Sequence, residues 1–190
     1  MNPAVQAGRA RTDGVAAGLR AAAALFGAPA STQAPAKYAP LVDQAGRPAD
    51  LPLAIELVYE GYLLHYRTSR ALAPGDPAET LLLAGDYFYA HGLRLVARTG
   101  DIGAVALLTR LMAACSFLRV QQAAFATDDD LWELTAFAVG AGEGPCRTAA
   151  AGAYDRFEGL IAASRTADLP AAAAAGLAAV RARAAGSQEA

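Results

Sequence analysis

The stretch LLLAGDYFYAHGLRLVARTG, residues 81–100, decides the fold class. Upstream, Asp76-Pro77-Ala78-Glu79 reads as a helix start, with Asp76 as N-cap, Pro77 at the first helical position and Glu79 at the third. Downstream, Arg94 and Arg98 suit the negative end of the helix dipole, and Gly100 can end the helix in a left-handed conformation. Leu82, Asp86, Tyr89, Leu93 and Val96 fall on one stripe, and Ala84, Phe88, His91 and Leu95 on the next. A helix this apolar is expected at the centre of a helical protein. That makes Asp86 a carboxylate among packed side chains, in need of a partner.

Outward from this helix the pattern stays helical. Hydrophobic residues make up 55% of the chain but aromatics only 7%, because alanine supplies much of the apolar count and favours helix over strand. Asp13 is expected to cap a helix carrying Val15, Leu19, Ala22 and Phe26 that ends at Gly27-Ala28-Pro29. A Ser/Thr/Pro loop (Ser31 to Pro35) and a short helix within Ala36–Ala45 follow, with Tyr38, Leu41 and Val42 inward. Asp50 and Pro52 open a helix over Leu51–Leu72 that Pro74-Gly75 closes. Beyond residue 100, Asp101 caps a helix with Val105, Leu108, Met112, Cys115 and Leu118 as its core stripe. Thr127-Asp128-Asp129-Asp130 reads as the start of the next, with Leu131, Leu134, Thr135 and Ala138 inward. Gly140, Gly142 and Gly144 loosen the chain before Pro145 restarts it, and Asp168-Leu169-Pro170 opens a last, alanine-rich helix that Gly186 closes. The expectation is all-α: a bundle of about eight helices in a single domain over 1–190, with 1–11 and 186–190 frayed.

Several functions lack support in the residues. A net charge of -2 makes no electrostatic case for nucleic acid. Cys115 and Cys146 are isolated, without metal-ligand spacing, and read as buried thiols of a cytoplasmic protein. Arg9 and Arg11 are followed by no apolar leader, and no uninterrupted apolar run suggests a membrane span. Asp128, Asp129 and Asp130 point three ways on a helix, which suits a cap better than magnesium. His65 and His91 sit on largely apolar helices and read first as packed histidines. Gly140-x-Gly-x-Gly144 has no strand before it and reads as a hinge rather than a phosphate loop. The polar residues that stand out are Glu56, Arg67 and Asp86, for which a salt bridge or hydrogen bond between helices is the plain explanation.

Two segments resemble the trans-isoprenyl diphosphate synthases, all-helical enzymes that lengthen prenyl diphosphates. Leu82-Leu83-Ala84-Gly85-Asp86-Tyr87-Phe88 is similar to that family's Gly-Asp helix. Glu56-Leu57-Val58-Tyr59, followed three residues later by Leu63-Leu64-His65, is similar to the frame that precedes its first aspartate-rich motif. Tyr66 and Arg67 stand where the family has paired aspartates, no Asp-Asp-x-x-Asp follows Tyr154–Arg165, and Lys37 lacks the arginine pair of the family's Gly-Lys-Arg segment. The resemblance covers Lys37 to Arg98 best. It implies an isoprenoid-synthase-like bundle without the aspartates that hold the magnesium needed to ionise an allylic diphosphate.

The family includes short, degenerate subunits that pair with a catalytic chain and help to set product length. The resemblance therefore implies a regulatory subunit and pseudoenzyme of isoprenoid biosynthesis: inactive alone, without a cofactor of its own, joined as a heterodimer to a catalytic prenyl diphosphate synthase that holds the magnesium. Glu56, His65, Tyr66, Arg67, Gly85, Asp86 and Tyr87 are its candidate pocket or interface residues, with no catalytic or metal-binding residue assigned. Three alternatives stay open: a stand-alone bundle binding a prenyl or other apolar ligand, an enzyme of altered chemistry using His65, Tyr66 and Asp86, and a helical protein of unrelated origin; a homodimer stays open as well.

Overall fold

The computed structural model describes residues 3–26, 35–43, 46–73 and 76–186, with side chains from residue 13 onward. The fold is all-α: eight α-helices and two 3-10 turns, with no strand among the described residues. The chain divides into two compact units, Met1–Gly100 and Asp101–Ala190.

In the first unit the helices are α1 (Pro3–Ala23), α2 (Ala39–Val42), α3 (Leu51–Tyr66) and α4 (Ala78–Arg98), with a 3-10 turn at Ala24–Phe26. The first helix does not wait for Asp13: it starts at Pro3, so residues 3–11 are helical rather than frayed. The helix end expected at Gly27-Ala28-Pro29, the loop residues 31–34 and the stop at Pro74-Gly75 lie outside the described residues, as do 187–190.

The central helix is α3, not α4. Its residues from Leu51 to Leu64 are buried almost without a break, and Leu57, Val58 and Tyr62 lose nearly all contact with solvent. In α4 the Ala84, Phe88 and Leu95 stripe is buried as expected, together with Gly85, Gly92 and Val96; Leu82 and Leu83 are exposed. A helix so short of charge was expected to be surrounded, but α4 lies on one side of α3 and presents leucines outward. It also begins one residue later than its sequence suggests, with Pro77 before the first turn and no side-chain cap. Gly100 does end it, at φ +77°, where a side chain would be strained.

Close approach makes this helix pair. A Cβ on Gly92 would lie 2.7 Å from the carbonyl oxygen of Ala54 and 2.9 Å from the amide of Val58, while Gly85 faces His65. These contacts pair the end of each helix with the beginning of the other, so α3 and α4 run antiparallel.

The second unit contains α5 (Ile102–Val120), α6 (Phe125–Ala141), α7 (Pro145–Ala162) and α8 (Leu169–Gly186), with a 3-10 turn at Thr166–Asp168. Asp101 caps α5 as expected, accepting from the amide of Ala104 at 2.9 Å. By contrast, α6 starts at Phe125, three residues before the acidic run, and the three aspartates lie inside the helix. Gly142 (φ +74°) and Gly144 (φ +139°) make the break between α6 and α7 that no other residue type would tolerate easily. Helix α8 packs on both α6 and α7. The core between them holds Trp132, Leu134, Tyr154 and Phe157, with the Tyr154 hydroxyl 2.7 Å from that of Thr135. Cys115 and Cys146 are buried free thiols. Among the described residues one helix, α5, is long and apolar enough to cross a membrane by length and composition alone.

Candidate functional site

The candidate residues form two groups along α3 and α4, with the remainder beside them. The first is centred on Glu56, which is fully buried. Its Oε1 accepts from the backbone amides of Tyr38 (2.5 Å) and Ala39 (2.8 Å), satisfying the first turn of α2. Its other oxygen lies 2.8 Å from Nη1 of Arg70. One turn further along, Glu60 is equally buried. It accepts from the Ser69 hydroxyl (2.7 Å), from the amides of Arg70 (2.7 Å) and Ala71 (3.1 Å), and from Nε of Arg70 (2.9 Å).

Arg70 thus sits between two buried carboxylates. Burial pulls its pKa down, but the charges of Glu56 and then Glu60, with their hydrogen bonds, outweigh it and hold the guanidinium above its usual value. The same bonds explain why the helix stops at Tyr66 rather than running to Leu72. The amides of residues 70–72 are taken by Glu60 and by the Ser69 hydroxyl, so this segment folds back across α3.

The second group joins the two helices. Nε2 of His65 lies 3.2 Å from a carboxylate oxygen of Asp86. The imidazole stacks on Tyr89, with ring centroids 5.2 Å apart and planes 13° apart. It fits there because residue 85 is glycine: a Cβ at that position would come within 2.7 Å of Nε2. Asp86 itself is not a buried carboxylate, since its side chain is 73% exposed. Its partner is the expected kind, but its setting is the rim of the helix pair rather than the core.

The remaining residues adjoin these two groups: Tyr66 lies 5.8 Å from the His65 ring, and Arg70 lies over the ring of Tyr59. Tyr87 packs edge-on against Phe26 (5.6 Å) and His91 (5.5 Å). Burial first, and the nearby charge of Arg94 second, push the pKa of His91 down, which keeps that imidazole neutral near pH 7. Tyr66 and Arg67 turn back on Tyr62: the rings of Tyr66 and Tyr62 are 5.5 Å apart, and Arg67 donates from Nε to the Tyr62 hydroxyl at 3.1 Å. Lys37 lies over the ring of Tyr59 and donates to its hydroxyl at 3.2 Å.

Sequence reasoning found Glu56 but missed Glu60 and Arg70, its functional neighbours. The available signal was the i, i+4 spacing of two carboxylates on an otherwise apolar helix, with an arginine just past its end. It missed Tyr89 as the platform for His65 for a different reason: only the antiparallel pairing of α3 with α4 brings those rings together.

The donor set does not fit magnesium. Tyr66 and Arg67 carry a phenol and a guanidinium, and the oxygens of Glu56 and Glu60 already face Arg70 and backbone amides. Among the described residues no three metal-ligating side chains converge. In the acidic run, Asp128 is buried and held at 2.6 Å by Arg119, a structural use.

Comparison of the chain with protein-family models, with curated proteins and with solved structures finds no match.

Proposed function

We propose that this chain is a noncatalytic helical subunit that docks on a catalytic prenyl diphosphate synthase and supports its chain elongation, the partner supplying the magnesium. The observation that carries the proposal is the His65–Asp86 contact at 3.2 Å across Gly85. The two stretches that resemble the synthases lie on consecutive helices, and they meet through residues that carry the resemblance. Tyr66 and Arg67, which stand where the resemblance would place paired aspartates, pack on Tyr62.

A partner surface is consistent with the outer side of α4, where Leu82 (53% exposed) and Leu83 (65%) flank the exposed Asp86. Neighbouring large apolar residues on a solvent-facing turn are what a protein interface offers. The rival is a stand-alone binder of an apolar chain; the recess beside this site, lined by Leu64, Leu72, Leu81 and Arg67, holds about 180 Å³, below the roughly 300–1,000 Å³ usual for small-molecule sites.

The test is a tagged pull-down from the source cells, followed by reconstitution. Recovery of a chain bearing two intact aspartate-rich motifs, whose rate or product length changes when this chain is added, is the expected result. Failure to bind such a synthase, or binding with no change in its products, overturns the proposal. Saturable binding of a prenyl compound by the chain alone would favour the stand-alone binder instead.

A further inference from the structure

Helix α5 presents an outer face without a single charge. Ile102 and Val120, at its two ends, are 74% and 78% exposed. Between them Ala106, Thr109, Ala113 and Ser116 are exposed, and Val105, Met112 and Phe117 are half-exposed. A solvent-facing helix stripe is ordinarily polar or charged. The two arginines of α5 are turned instead toward acids of their own unit: Arg110 to Asp155 and Glu158, Arg119 to Asp128. Even the two hydroxyls on the face are bonded inward. Thr109 donates to the carbonyl of Val105 (2.9 Å) and Ser116 to that of Met112 (2.8 Å).

Met112 and its counterpart Arg110 apart, the pattern on this face reads alike in both directions from the buried Leu111. Large residues stand nine positions away on either side (Ile102, Val120) and again six away (Val105, Phe117). Small ones stand five away (Ala106, Ser116) and two away (Thr109, Ala113). A two-fold axis through the middle of the helix sets each residue against its counterpart: large against large at the ends, small against small at the crossing. Such self-complementarity is what an isologous interface requires, and the small residues at its centre let two backbones come close. With no charge on the stripe, no like charges meet.

We propose that α5 pairs antiparallel with α5 of a second copy of this chain, crossing near Leu111. A helix of 19 residues is ~28 Å long, and a stripe ~10 Å wide buries ~300 Å² per copy. Standard interfaces bury ~800 Å² per partner. The dimer is therefore weak and concentration-dependent. The pairing uses α5 alone, whereas the proposed docking on a synthase uses α3 and α4, so either can fail without the other.

The test is sedimentation velocity of the full chain from ~1 to ~200 μM, a range chosen for a weak interface, with two double variants at exposed positions whose folding is checked by circular dichroism. Ala106→Arg with Ser116→Arg sets like charges face to face; Ala106→Glu with Ser116→Arg sets opposite ones. The expected result is a monomer–dimer equilibrium in the parent chain, weakened at least ~tenfold in the first variant and retained in the second. A monomer throughout the range overturns the proposal. So does a dimer indifferent to the like-charged pair, and loss of dimer in both variants while folded overturns the antiparallel register. A monomer that instead floats with phosphatidylcholine vesicles, and ceases to when Arg is introduced at 106 and 116, assigns the face to lipid and overturns it as well.

Discussion

The two units differ in what their most prominent carboxylates hold. In residues 1–100 the buried carboxylates serve irregular backbone: Glu56 satisfies the first amides of α2, and Glu60 gathers the amides and side chains of residues 69–71. In residues 101–190 exposed and half-exposed carboxylates join one helix to another, Asp155 and Glu158 linking α7 to α5 through Arg110 and Glu133 linking α6 to α8 through Arg181, while the buried Asp128 is held by Arg119. The difference follows from the chain's own punctuation. The second unit turns at Gln122 (φ +54°), at Gly142 and Gly144, and at Ser164 (φ +57°), and restarts its helices within a few residues. The first unit has an irregular stretch at 67–73, next to its central helix, whose polar groups must be met by side chains if they are to be buried. A buried carboxylate that organises backbone is costly to remove, and an exposed one that links helices is cheap.

The sharpest way to break this contrast is Glu60→Ala. It leaves Arg70 and two amides without their acceptor in a buried place, and the expected loss is ~3–5 kcal/mol in urea unfolding. A loss below ~1 kcal/mol would mean that water reaches the site and that Glu60 does not hold the 67–73 segment. Next in size is Gly92→Ala. The added methyl would meet the backbone of α3 at Ala54 and Val58, and backbone cannot rotate away, so a loss of ~2–3 kcal/mol is expected. Gly85→Ala meets only the His65 side chain. Its cost should be smaller, with displacement of the imidazole visible as a shifted His65 ring resonance.

The all-α class was legible from alanine, leucine and the placing of Asp101, Pro145 and Gly100, because these act within one turn of where they stand. Which helix would be central was not. Helix α4 has the better start and stop signals, yet α3 is the buried one, because burial depends on what packs around a helix and not on its own pattern. The same limit hid the site. Glu56 and Asp86 drew notice as acids in apolar helices, but one proved fully buried and the other mostly exposed, a difference set by the face each occupies once α3 and α4 pair. Glu60 and Arg70 went unseen because their bond depends on the helix ending at Tyr66, and that ending is itself a consequence of the bond.

Two smaller effects sharpen the comparison within the second unit, where Thr135 and Tyr154 form a buried neutral pair. Burial raises the Tyr154 pKa far above its ordinary 10.0, and the hydrogen bond with Thr135 offsets only part of that. A raised pKa in the folded state means that stability is fully present below pH 10 and falls as the pH climbs past it, because the unfolded chain alone can ionise this phenol. Tyr154→Phe should cost ~1 kcal/mol at pH 7, the worth of one buried hydrogen bond, and should flatten the alkaline decline. Urea midpoints measured from pH 8 to 11 check both; an equal alkaline decline in the variant would assign it to other groups.

Smallest of all is Arg181→Ala. Its guanidinium is 54% exposed and its partner Glu133 30% exposed, so solvent screens the pair and the expected loss is at most ~0.5 kcal/mol. A loss approaching that of Glu60→Ala would show that the second unit also depends on its charges. The division between organising and linking carboxylates would then fail at its weakest member.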